Sequence, residues 1–83
     1  MKRTVIVTLT VEVEVDEDKF TPEFMAEFRD SFYNFYTISR HIEHIAQLEA
    51  RGLLFPSFTE GYGPLADFGI KADVVNQEQE IEQ

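Results

Sequence analysis

The chain has 83 residues, enough for one small domain. It carries 16 Asp and Glu against 7 Lys and Arg, a formal charge of -9, which disfavours nucleic acid and anionic membranes and favours basic protein surfaces. Hydrophobic residues make up 43%, too many for wholesale disorder, and the absence of cysteine excludes disulfide staples and thiolate zinc sites.

Thr4 to Val15 alternates strictly. Val5, Val7, Leu9, Val11, Val13 and Val15 share one face, while Thr4, Thr8, Thr10, Glu12 and Glu14 share the other, with Ile6 the apolar exception. Such a period-two pattern of β-branched residues predicts a strand with one face on a core and one in water. Asp16 to Lys19 is a turn. Thr21-Pro22-Glu23 then opens a helix: Thr21 is the N-cap, Pro22 fits the first helical position, and acids favour the early turns. Phe24, Met25, Phe28 and Phe32 form its apolar stripe, and Asn34 to Tyr36 break it.

Thr37 caps a second predicted helix, with Ile38, Ile42, Ile45 and Leu48 on one face and Arg51-Gly52 as its stop. Phe55 to Glu60 reads as a second strand beginning at an edge because of Pro56. Gly61-Tyr62-Gly63-Pro64 is a turn, and Asp67 to Val75 alternates as a third strand. Asn76 to Gln83 is acidic and polar, and reads as a disordered tail or a frayed strand extension.

The predicted fold is α+β: a small three-stranded antiparallel sheet with two helices on one face, in the order strand-helix-helix-strand-strand. Residues 1–75 form the single domain and 76–83 the tail. The hairpin of strands 2 and 3 is the expected pairing, with strand 1 beside strand 3. No signal peptide is expected, since Met1 leads straight into the strand pattern. No run of about 18 apolar residues would span a membrane. A cytoplasmic monomer is the expectation, because acidic faces repel one another.

Chemistry is sparse. His41 and His44 share a helical bearing, but a zinc site needs more ligands than they offer, and the reading is two histidines on the helix surface, with one of them open to covering the sheet. Glu12 and Glu14 lie on one open strand face and lack the enclosing cleft of a paired-carboxylate catalyst. Asp16, Glu17 and Asp18 lack the spacing of a calcium loop. Gly61-Tyr62-Gly63 is too short for a phosphate loop. No catalytic residue, metal or cofactor is therefore expected.

What stands out is the arrangement of acids. Glu12, Glu14 and Asp16 form a strand ladder with Glu17 and Asp18 beside it. Glu23, Glu27 and Asp30 form a helix stripe, and Glu78, Glu80 and Glu82 alternate near the C-terminus. Strand residues two apart are separated by about 6.6–6.8 Å, on the scale of successive phosphates. The candidate partner-binding residues are thus Glu12, Glu14, Asp16, Glu17, Asp18, Glu23, Glu27 and Asp30. Tyr33, Phe35, Tyr36, Phe55, Phe58 and Tyr62 are too many for one core beside Phe24, Phe28, Phe32 and Phe68, so some of them are expected at the surface, where they offer a second kind of contact.

In size, acidity, single α+β domain and absence of catalytic motifs, the chain resembles small acidic proteins of phages and mobile elements, especially anti-CRISPR proteins of the nucleic-acid-mimic kind, although Lys2, Arg3, Arg29, Arg40 and Arg51 leave its charge asymmetric where the most extreme mimics are uniformly negative. The resemblance spans the whole chain but carries no diagnostic motif, so it transfers no site residue. It implies inhibition by occlusion of a basic surface on a type I CRISPR surveillance complex, with no direct contact to nucleic acid. The alternative is a non-enzymatic interaction module, homodimeric through exposed aromatics or an edge strand. An enzyme subunit is the remaining class.

Overall fold

The first and last elements of the chain pair with each other. In the computed structural model, which describes residues 1–82, β1 (Thr4–Glu14) and β2 (Lys71–Glu82) form a two-stranded antiparallel sheet. The ladder runs from Thr4 opposite Glu82 to Glu14 opposite Lys71, with one irregularity beside Thr10 and Val11. There Asn76 and Val74 face consecutive β1 residues, so Val75 is an extra residue bulged out of β2.

Two helices lie between the strands: α1 (Pro22–Ser31) and α2 (Ile38–Ala50). Their ends follow the local chemistry. The Thr21 hydroxyl accepts from the Phe24 N–H at 3.1 Å, and Thr37 does the same for Arg40 at 3.3 Å. At the end of α2, Gly52 takes φ 69°. The Leu53 N–H then donates to the Leu48 carbonyl at 2.8 Å and the Gly52 N–H to Glu49 at 3.0 Å, satisfying carbonyls the helix leaves open.

α2 is the helix that packs against both strands. Leu9, Val11, Val13 and Ala72 are half-buried on that side. α1 joins the body chiefly through rings: Phe28 lies 4.7 Å from His41, and Phe24 4.5 Å from Phe68. The buried core is Phe20, Met25, Phe28, Ile45, Leu65 and Ile70, with Tyr62. Beyond this core the ribbon continues alone. Val5, Val7 and Ile81 are 49%, 53% and 62% exposed, and the molecule measures 50 × 23 × 20 Å.

Two expectations are corrected and one open alternative is decided. Phe55 to Glu60 is not a strand, so among the described residues the sheet has two strands rather than three and the hairpin of strands 2 and 3 does not exist. Pro56 offers no N–H to a ladder, and Thr59 turns the segment inward. Its hydroxyl accepts from the Phe55 N–H and donates to the Phe55 carbonyl, both at 3.0 Å. Its backbone closes the tight turn to Gly63.

The final strand also begins later than predicted. Leu65–Phe68 is a short 3-10 turn that ends at Gly69 in the left-handed region, φ 61°. A Cβ at Gly69 would stand 3.0 Å from that of Asp16, so the close approach of the two segments also requires glycine there. Of the two readings of Asn76 to Gln83, the strand extension is the one formed, since Asn76 to Glu82 is the second half of β2; Gln83 lies outside the described residues. Two helices do flank a sheet, but only α2 packs along both strands. Among the described residues no helix is long and apolar enough to cross a membrane.

This arrangement predicts uneven sensitivity to truncation. Ile45 is fully buried, so Ile45→Ala should cost about 2–5 kcal/mol in urea unfolding. Ile81→Ala, on the projecting ribbon, should cost less than about 1 kcal/mol. Equal losses at the two positions would contradict the placement of the core.

Candidate functional site

Pairing β1 with β2 assembles one acidic face from two distant stretches of sequence. Residues directly opposite in an antiparallel pair share a face. The face turned from α2 therefore carries, from the body outward, Glu14 opposite Lys71, Glu12 opposite Asp73, Thr10 opposite Asn76, Thr8 opposite Glu78 and Ile6 opposite Glu80. Glu12, Glu14, Asp73, Glu78 and Glu80 are all exposed. Among the described residues the one ion pair within 4.0 Å is Arg40–Glu43 on α2, at 3.6 Å, so none of these five carboxylates is ion-paired within that distance, and Lys71, opposite Glu14, is the one base on the face.

The bulge decides this composition. Without it, β2 would continue in phase from Val74, and Glu78 and Glu80 would stand opposite Val7 and Val5 on the apolar face. One extra residue moves them opposite Thr8 and Ile6. Gln77, Gln79 and Ile81 take the apolar side instead.

The other expected site residues are distributed differently. Asp16 spends its carboxylate on structure: its Oδ1 accepts from the Asp18 N–H at 3.1 Å, capping a 3-10 turn at Glu17–Lys19. Glu17 and Asp18 are exposed in that turn. Glu23, Glu27 and Asp30 are exposed on α1, which does not pack along the ribbon as α2 does. They form a second stripe on a separate element. Asp73, Glu78 and Glu80 are the additions that only the strand pairing brings to the site. The alternations Lys71/Asp73 and Glu78/Glu80 were visible, but their common face depends on the bulge.

The histidines belong to the interior instead. His41 is fully buried, against its expected surface position. α2 buries two sides, one toward the ribbon and one toward the rings of α1, and His41 lies on the second. Its Nδ1 hydrogen-bonds to the Tyr62 hydroxyl at 2.9 Å, while Nε2 has no partner among the described residues. Phe20, Phe24, Phe28 and Phe35 lie within 4.7–6.0 Å of its ring. Burial, then the nearby His44 and Arg29, lowers its pKa to about 4, and burial also raises that of Tyr62. Among the described residues no group of three His, Asp or Glu is placed to hold a metal. The aromatic question also divides. Tyr62 is core, whereas Phe32, Tyr33, Phe55 and Phe58 line an open groove of about 420 Å³ beside His44.

No family model, curated protein or solved structure matches this chain. The surface chemistry therefore carries the functional argument.

Two predictions follow from these placements. Glu12 and Asp73 are like charges directly opposite, a destabilising pair. Asp73→Lys should raise stability by roughly 0.2–1 kcal/mol, and the gain should vanish in a Glu12→Gln background. An unchanged or lowered urea midpoint would contradict the pairing.

The second prediction concerns pH. The folded pKa of His41 lies below the unfolded value of 6.5, so the unfolded chain binds the extra proton between them. Its stabilisation is complete above pH 6.5 and is lost as pH falls toward 4, up to about 3 kcal/mol. His41→Gln should flatten the stability profile over this window. Parallel profiles for parent and variant would rule this out.

Proposed function

We propose that this protein acts by binding rather than catalysis, with its acidic ribbon face covering a basic, nucleic-acid-binding surface on another protein. The observation that carries this reading is the single exposed face holding Glu12, Glu14, Asp73, Glu78 and Glu80 without a close ion pair. Along each strand, carboxylates two residues apart repeat at about 6.6–6.8 Å. That interval is on the scale of backbone phosphates, so the ladder addresses the same Lys and Arg side chains. The ribbon is also narrow, two strands about 4.8 Å apart, and it projects from the body as an insert for a groove would.

The resemblance to nucleic-acid-mimicking anti-CRISPR proteins supplies the target for a test. In this reading the partner is a subunit of a type I surveillance complex in the host cytoplasm, and the effect is loss of target-DNA binding. The ribbon face is the primary contact, with Asp16, Glu17 and Asp18 at its base. Glu23, Glu27 and Asp30 form an auxiliary stripe. The protein itself does not touch nucleic acid, because its charge repels it.

Each partly desolvated carboxylate–Arg pair contributes about 1–3 kcal/mol, so removing several together has a large effect. The test is competition with target DNA for a purified type I surveillance complex. Wild type should displace DNA, with steep weakening as salt rises. The ribbon triple Glu12→Gln, Asp73→Asn, Glu78→Gln should lose at least about tenfold in potency, equivalent to about 1.4 kcal/mol. The helix triple Glu23→Gln, Glu27→Gln, Asp30→Asn should lose less. The proposal fails if wild type never competes, or if both folded triples compete like wild type.

A further inference from the structure

The two edges of the ribbon are chemically different. Both are open: among the described residues β1 and β2 hydrogen-bond as strands only to each other. The outer half of β2 carries Glu78 and Glu80 and begins at the Val75 bulge. Charges and bulges are the devices that keep an edge from pairing. The outer half of β1 has neither. Thr4-Val5-Ile6-Val7-Thr8-Leu9-Thr10 is uncharged, β-branched except at Leu9 and free of Pro and Gly, and no bulge residue interrupts β1. A two-stranded ribbon of this kind, projecting from its core, is marginal alone.

We propose that β1 pairs with β1 of a second copy of this chain, antiparallel about a two-fold axis at Val7. The proposal is independent of the acidic-face function. Two features select the same register. Centring the uncharged run on itself sets Val7 opposite Val7 of the second copy, Val5 opposite Leu9, Ile6 opposite Thr8 and Thr4 opposite Thr10. The same register sets Lys2 of each chain opposite Glu12 of the other, so each copy offers a base to the other's acid. A one-residue slip would oppose apolar to polar faces and is disfavoured.

The product is a four-stranded sheet with strand order β2, β1, β1 and β2. Its apolar side continues across the seam through Val5, Val7 and Leu9 of both copies. The acids of β2 lie on the outside strands, about 14 Å apart across the sheet, beyond a Debye length of about 8–10 Å. The net charge that disfavours association elsewhere is thus weakest at this edge. Pairing β2 with β2 would oppose glutamates. Pairing β1 with β2 would be head-to-tail and would not close on itself. The isologous β1 seam is the arrangement left.

The chain has no cysteine, so single substitutions report the register directly. Residues directly opposite have Cα atoms about 4.5–5.5 Å apart, within the range a disulfide spans. Val7→Cys should form a disulfide-linked dimer under mild oxidation. Leu9→Cys, offset from its copy by four residues or about 13 Å, should cross-link at least tenfold more slowly. Gln79→Cys, opposite Val7 but on the β2 edge, should also be at least tenfold slower. By sedimentation, wild type should pass from monomer to dimer between micromolar and millimolar concentration. Val7→Lys, an exposed change that keeps the melting transition, should remain monomeric. A wild type monomeric throughout, a dimer that persists in Val7→Lys, or equal cross-linking of the three cysteine variants would overturn the proposal.

Discussion

One residue out of phase in β2 organises the surface of this protein. Val75 is absorbed as a bulge, and everything beyond it turns over relative to the first part of the strand. Asp73 before the bulge and Glu78 and Glu80 after it then face the same way as Glu12 and Glu14. In the bulge-free register two glutamates would lie among Val5 and Val7, and Ile81 would join the acids. In the observed register Gln77, Gln79 and Ile81, rather than the two glutamates, stand on the side of Val5, Val7 and Leu9. The result concentrates like charge, with Glu12 opposite Asp73. A basic partner surface would relieve that repulsion on binding.

The ribbon is held by a body with little margin. α2 serves both sides, facing the strands with one flank and the rings of α1 with the other. Ile45 sits between them with no exposed surface. The His41–Tyr62 pair completes this centre, and its unpartnered Nε2 costs roughly 1–3 kcal/mol as a buried polar atom. Aromatic packing from four phenylalanines around the imidazole offsets that cost. The body's own bases are used locally: Arg29 donates to the Phe35 carbonyl at 3.2 Å and stacks 4.6 Å from the Tyr36 ring. The acidic face and the structural bases are thereby separated.

Much of the frame is legible from single residues. The Val alternation defines β1, Thr21 and Thr37 start the helices by accepting from backbone N–H groups, and Gly52 stops α2 by taking a positive φ. The one-sided pattern of β1 does not name its partner; the pairing with the last strand is set by the fold. The rest depends on tertiary contacts. Phe55 to Glu60 has strand-like residues, yet Thr59 captures the backbone into a turn. Asn76 to Glu82 reads as either a tail or a strand extension because Gln and Glu are weak strand formers, and the β-branched partner strand recruits them. Of the site, Glu12 and Glu14 are legible, whereas Asp73 needs the strand pairing and Glu78 and Glu80 need the bulge as well. His41 is polar at a helix position whose burial is set by rings from another helix.

The account rests on Glu78 and Glu80 sharing a face with Glu12 and Glu14. Cross-strand NOEs along the ribbon in solution test this most directly. The structure predicts contacts linking Glu78 with Thr8 and Glu80 with Ile6, with Val75 unpaired. Contacts linking Glu78 with Val7 and Glu80 with Val5 would put the acids on the apolar side and contradict the acidic face.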